Sequence, residues 1–147
     1  MQRHDDGSIS RVSRDNGGKD ESSRVLAPRF DLFRHAPSGF ECGYEGSGPA
    51  QLSIAICADH LRRNALRAES AAVSLDVDLE PRTTVSDRIA MILHQEFKRT
   101  VVARLPRHDS WELSDVKVGE ILDVLIAARV SMQKVAARLA SSEASRS

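Results

Sequence analysis

The apolar positions of this chain fall into blocks of different period, and each block predicts an element. In RFDLFRHAPSGFECGY, residues 29–44, Phe30 and Leu32 lie two apart, and so do Phe40, Cys42 and Tyr44 beyond Pro37, Ser38 and Gly39. Alternation on both sides of turn residues predicts a strand, turn, strand unit, with Phe33 disturbing its register. Pro49 suits the first turn of a helix, where its missing N–H costs nothing, and Ser47 or Gly48 is its expected cap. Leu52, Ile54, Ala55, Ile56, Cys57 and Ala58 are apolar nearly all round, which predicts a buried helix. It should end where Asp59, His60, Arg62 and Arg63 restore polarity.

Residues 64–84 read as an elaboration between two core helices. Leu75, Val77 and Leu79 alternate with Ser74, Asp76, Asp78 and Glu80, the pattern of a short exposed strand ended by Pro81. Ser86 then caps a helix expected over Asp87–Arg104, on which Ile89, Leu93 and Phe97 share a stripe with Ile92, Val101 and Leu105. Pro106 terminates it. After a loop at PRHDS, Trp111 and Leu113 bracket a short extended piece. Ser114 caps a long final helix whose Ile121, Leu125, Ala128, Met132, Val135 and Leu139 recur at intervals of 4, 3, 4, 3 and 4, a heptad stripe. Gly119 weakens its first turns by about 1 kcal/mol relative to alanine. Residues 1–24 hold only Met1, Ile9 and Val12 as aliphatic residues and read as a solvated, disordered tail.

Composition narrows the function classes. The chain has 147 residues, 21 Lys+Arg against 21 Asp+Glu, and 41% hydrophobic residues. A core can be buried, while the zero net charge argues against holding nucleic acid by bulk charge. Two cysteines are too few for a disulfide scaffold, no apolar run approaches the roughly 20 residues of a membrane span, and no secretory stretch opens the chain, so a cytoplasmic location is expected. The basic residues are 17 Arg and 4 Lys. That bias fits either recognition of carboxylates and phosphates or a GC-rich genome.

The inventory of chemistry is thin. Gly43, Gly46 and Gly48 precede a helix start, where backbone N–H groups can hold an anion, yet neither dinucleotide fingerprint nor phosphate loop is present. His35, His60, His94 and His108 with Cys42 and Cys57 lack metal-ligand spacing, and read as satisfied or solvated groups. Ser38, Ser47 and Cys42 lack a nucleophile context. Glu96 and Glu112 could pair as carboxylates, although nothing fixes their separation. Arg62, Arg63 and Arg67, with Arg99, Arg104 and Arg107, could line a basic face beside Tyr44 and Trp111, or lie at helix edges as snorkelling side chains. No metal, cofactor or catalytic residue is assigned, and the expectation is a protein without enzymatic activity.

Residues 29–63, RFDLFRHAPSGFECGYEGSGPAQLSIAICADHLRR, and 94–113, HQEFKRTVVARLPRHDSWEL, together resemble a family of small uncharacterised proteins of phages, plasmids, bacteria and archaea. GSGPAQL and FK…VVARLP carry the likeness. Cys42 stands where the family usually has an aromatic residue and Glu45 where it has glycine; the tail and the heptad helix lie outside the usual domain. The resemblance implies mobile genetic elements as context and transfers no catalytic role.

These readings give an α+β fold, with a small antiparallel sheet or hairpin on two core helices. The tail is 1–24, the core domain 25–113, and the long C-terminal helix with its frayed end 114–147. The expected function is binding and inhibition of a host factor, a protein or ribonucleoprotein such as a CRISPR effector. The alternative is a small dimeric nucleic-acid-binding regulator. Tyr44, Glu45, Arg62, Arg63, Arg67, Leu125 and Met132 are the candidate partner-binding residues. A homodimer through the C-terminal helix is the further partner considered, and no membrane is involved.

Overall fold

A computed structural model of the chain describes residues 11–14, 26, 29–34, 40–44, 46–78, 82–107 and 111–144. They form β1 (Arg11–Arg14), α1 (Ser47–Arg63), α2 (Ala65–Ser74), α3 (Val85–Thr100), a short 3-10 turn (Val102–Arg104), β2 (Trp111–Ser114) and α4 (Asp115–Ala144). The architecture is mostly helical. Where a sheet on two helices was expected, the described residues hold one antiparallel ladder of four residues per strand, pairing Arg11 with Ser114 through Arg14 with Trp111. The extended piece at Trp111 is therefore real, and its partner comes from the stretch read as a tail.

The hairpin expected over residues 29–44 is absent from its described flanks, and its turn, residues 35–39, lies outside the described residues. Residues 29–32 make a turn instead, with Leu32 N–H donating to the Arg29 carbonyl at 3.0 Å. Arg29 adopts a positive φ of 57° and is anchored to the start of α3 by two bonds to Asp87, of 3.0 and 2.9 Å. Further on, Gly43 N–H donates to the Val102 carbonyl and the Cys42 thiol reaches the Pro106 carbonyl. These contacts hold the segment against the helices, so alternation here reflects a coil that buries Cys42 and leaves Phe30, Phe33 and Phe40 partly exposed.

α1 is buried from Gly48 to Leu61, as its all-round apolar composition predicts, and packs chiefly on α3. Its cap is Gly46, one position before the expected residues. The predicted strand at Leu75–Leu79 is replaced by the end of α2 and a turn at Leu75 and Asp76; Leu79 itself lies outside the described residues. α3 presents Ile89, Leu93 and Phe97 to the core, the stripe its periodicity predicts. Thr84 rather than Ser86 caps it, its Oγ1 accepting from Asp87 N–H at 3.2 Å, while the Ser86 hydroxyl donates to the Leu61 carbonyl of α1. α3 gives way to the 3-10 turn after Thr100, short of the expected Arg104. Ser114 caps α4 as predicted, accepting from Lys117 N–H at 3.0 Å. Val118 and Leu122 seat α4 on the core, whereas residues 131–143 are all exposed, with Gln133 still reaching the Leu75 carbonyl.

Candidate functional site

The polar centre of the molecule is a six-residue polar chain where α1, α2 and α4 meet. α1 ends in Asp59, His60 and Arg63; α2 begins after a turn at Asn64 and supplies Arg67; α4 supplies Asp115 in its first turn and Asp123 two turns later. His60 is buried, with Nδ1 2.8 Å from Asp115 Oδ1 and Nε2 3.0 Å from Arg67 Nη1. A guanidinium can only donate, so Nε2 must accept and the ring proton must sit on Nδ1, facing Asp115. The imidazole is therefore held neutral. Burial lowers its pKa and the nearby arginines add to that, against the pull of Asp115. Arg63 bonds both Asp59 at 3.0 Å and Asp115 at 2.9 Å, and Arg67 grips both carboxylate oxygens of Asp123 at 2.9 and 3.1 Å. Burial opposes the charge of Asp115, but the bonds from Arg63 and His60 outweigh it and hold the carboxyl below its usual range.

An aspartate and a histidine in this relation could form half of a base-catalytic set. Here the second ring nitrogen faces Arg67 instead of a cavity, so the pair orients helices and is not available to take a substrate proton. Gly119 explains itself in this setting: a Cβ there would stand 2.7 Å from Arg67 Nη1. The residue that weakens α4 is the one that lets a guanidinium cross it.

Beside the charge chain an open groove of about 910 Å³ runs between α2 and α4. Leu66, Ala71, Ile126, Ala127 and Val130 give it apolar walls, and Arg63, Arg67 and Asp123 close one side. Leu66 and Val73, one helical repeat of seven apart on α2, are 82% and 83% exposed.

The candidate residues are thus scattered over several surfaces. Arg63 and Arg67 meet in the network and line the groove. Arg62 points to solvent, 3.8 Å from Asp59. Tyr44 lies under the Arg107 guanidinium, 4.9 Å from its ring centroid, so that cation and ring cover each other. Leu125 is half-buried against the core, and Met132 is exposed further along α4. Glu45 lies outside the described residues, as do His35, Ser38 and His108. The basic face expected around Arg62, Arg63 and Arg67 is neutralised by Asp59, Asp115 and Asp123, which leaves little free charge for phosphates.

The other candidate groups are engaged elsewhere. Glu96 is bound by Arg129 at 2.7 Å, while Glu112 is exposed on β2. His94 is buried, its Nδ1 2.7 Å from the Met91 carbonyl and its ring against Phe33. Burial pushes the Cys57 thiol well up. At the glycine-rich start of α1, a Cβ on Gly48 would meet the Glu41 side chain at 2.5 Å, so the glycine there makes room for Glu41. No group of three His, Cys, Asp or Glu side chains among the described residues could hold a metal ion, and no helix among them is long and apolar enough to cross a membrane.

Sequence reasoning missed the groove and the partners Asp59, Asp115 and Asp123. The one available signal was Gly119, a helix-weakening residue one turn beyond a well-formed cap.

An α-rich domain with a charge-locked helix junction and an open groove is the class these features define. Residues 4–76 match the model of a family of unknown function, DUF6166. The match includes GSGPAQL but ends before the FKRTVVARLP phrase, and it begins inside the segment read as a tail outside the family domain. No curated protein and no solved structure matches the chain.

Proposed function

We propose that this chain is a protein-binding module without catalytic turnover, and that the groove between α2 and α4 receives its partner. The observation that carries this reading is Leu66, a large aliphatic side chain that lines the groove and is left 82% exposed. Isolated exposed apolar residues need no explanation, but one that joins Ala71, Ile126, Ala127 and Val130 in the walls of an open cleft marks a contact surface. An amphipathic helix, with its apolar face toward Leu66, Ile126 and Val130, is the ligand such walls suit. The resemblance to phage and plasmid proteins makes a host factor the partner class, with a defence complex such as a CRISPR effector foremost, and inhibition the outcome.

The test compares the full-length protein with the Leu66→Asp, Ala127→Asp double variant as bait in lysate of the host. Both positions are exposed, so circular dichroism of the variant should be unchanged. A protein retained by the wild type and lost by the variant supports the reading; equal retention by both overturns it. Metal-dependent nuclease or nucleotide hydrolysis by the purified protein would overturn the claim of binding without turnover.

A further inference from the structure

The apolar stripe of α4 is not the face by which α4 sits on its own domain. At 3.6 residues per turn, Val118, Leu122, Arg129 and Gln133 share one side. That is the docked side: Val118 and Leu122 enter the core, Arg129 holds Glu96, and Gln133 Nε2 donates to the Leu75 carbonyl at 3.3 Å. The groove residues Asp123, Ala127 and Val130 lie about a quarter-turn to one side, and the stripe from Ile121 to Leu139 about a quarter-turn to the other. Stripe and groove are therefore on opposite flanks of the helix. Ile121 and Leu125 are half-buried, while Met132, Val135 and Leu139 are 72%, 52% and 61% exposed.

We propose that the stripe is covered by the same stripe of a second copy of this chain, the two α4 helices running antiparallel. Intervals of 4, 3, 4, 3 and 4 read the same in both directions. Antiparallel pairing centred on Val130 sets Ile121 against Leu139 of the second copy, Leu125 against Val135, and Ala128 against Met132, so every apolar residue has a counterpart and the smallest faces the longest. Parallel pairing would set Ala128 against Ala128 and leave a thin layer in mid-seam.

Area points the same way. The exposed part, Ala128 to Leu139, covers only about 17 Å of helix, short of an interface burying roughly 800 Å² per partner. The antiparallel pair uses the whole stripe, about 27 Å, and lays each projecting tail along the body of the other copy beside its exposed Val124. Charge does not oppose the approach. Arg129, nearest the two-fold axis, carries its own Glu96; Ser131 and Ala136 are neutral; and Arg138 meets Val124 of the second copy, which its alkyl stem can cover. Because the groove lies on the other flank, the dimer leaves it open and presents it twice.

Sedimentation of the full-length protein over a concentration series tests the association. A dimer is expected, and a monomer throughout the micromolar range overturns the proposal. The Met132→Asp, Leu139→Asp variant should sediment as a folded monomer with an unchanged circular dichroism spectrum, because both sites are exposed within one chain; a persisting dimer would place the interface elsewhere. Orientation is read by oxidation. Leu139→Cys alone should not cross-link, since the two thiols would stand about 27 Å apart, whereas mixed Ile121→Cys and Leu139→Cys chains should. Efficient cross-linking of Leu139→Cys with itself means a parallel pair and overturns the arrangement.

Discussion

His60 carries the most information of any single residue, because its surroundings fix both its protonation and its tautomer. With a folded-state pKa below the ordinary 6.5, it stays neutral in the native protein while the unfolded chain takes up a proton. The sign follows from linkage: above about pH 6.5 both states are neutral and His60 gives no pH dependence, and below it the unfolded state binds more protons and stability falls. Asp115, depressed below its usual 3.8, adds stability that is fully present above that value and lost only on stronger acidification. The urea midpoint should therefore drop between pH 7.5 and 5.5, and His60→Gln should flatten that drop while lowering the midpoint at pH 7.5. Equal slopes for the two proteins would place the titrating group elsewhere. Gly119 is coupled to the same site. Gly119→Ala removes a helix penalty of about 1 kcal/mol but pushes Arg67 off His60 and Asp123. In an Arg67→Ala background the substitution should therefore stabilise more than it does in the wild type, by on the order of 1 kcal/mol. Identical effects in both backgrounds would show that the guanidinium does not need the space.

α3 shows how far periodicity alone reaches at the scale of an element. Its Ile89, Leu93, Phe97 stripe predicted the buried face, and Phe97 is fully buried in the cluster between α1 and α4. Phe97→Ala should cost roughly 3–5 kcal/mol, measured as a shift in denaturant midpoint at constant slope. α1 was equally legible, since a helix apolar all round has to be enclosed. Alternation misled at residues 29–44 and 74–80. A period of two records only which side chains are buried; a strand also needs a neighbour to satisfy its backbone N–H and C=O groups. In the first region the helices and the Val102 carbonyl supply scattered partners, and in the second α2 takes up the chain as far as Ser74. β2 did find a neighbour, but in Arg11–Arg14, a stretch too polar for hydrophobic pattern to reveal.

For the whole molecule, the division of α4 into a docked and a projecting half sets the expected behaviour. Truncation after Ser131 removes Gln133 and its bond to Leu75 but none of the core, so the truncated chain should keep a cooperative transition with a slightly lower midpoint. Loss of cooperativity would mean that the tail contributes to the fold of its own chain. Truncation before Leu122 removes a fully buried side chain and should unfold the domain.

Local sequence was enough to give α1, α3 and α4, the Ser114 cap, the buried faces of α1 and α3, and the apolar stripe of α4, because each depends on residues within a few turns of one another. The charge chain, the groove and the side from which α4 is held were decided by tertiary structure. Asp59 meets Asp115 through Arg63, and Arg67 binds Asp123 directly, each across more than fifty residues of chain, and nothing in their spacing announces it. The stripe of α4 drew attention as the apolar face, yet Val118 and Leu122 with the polar Arg129 and Gln133 dock the helix. Which face a helix buries depends on the shape and hydrogen-bonding groups of what it meets, and those exist only once the rest of the chain has folded.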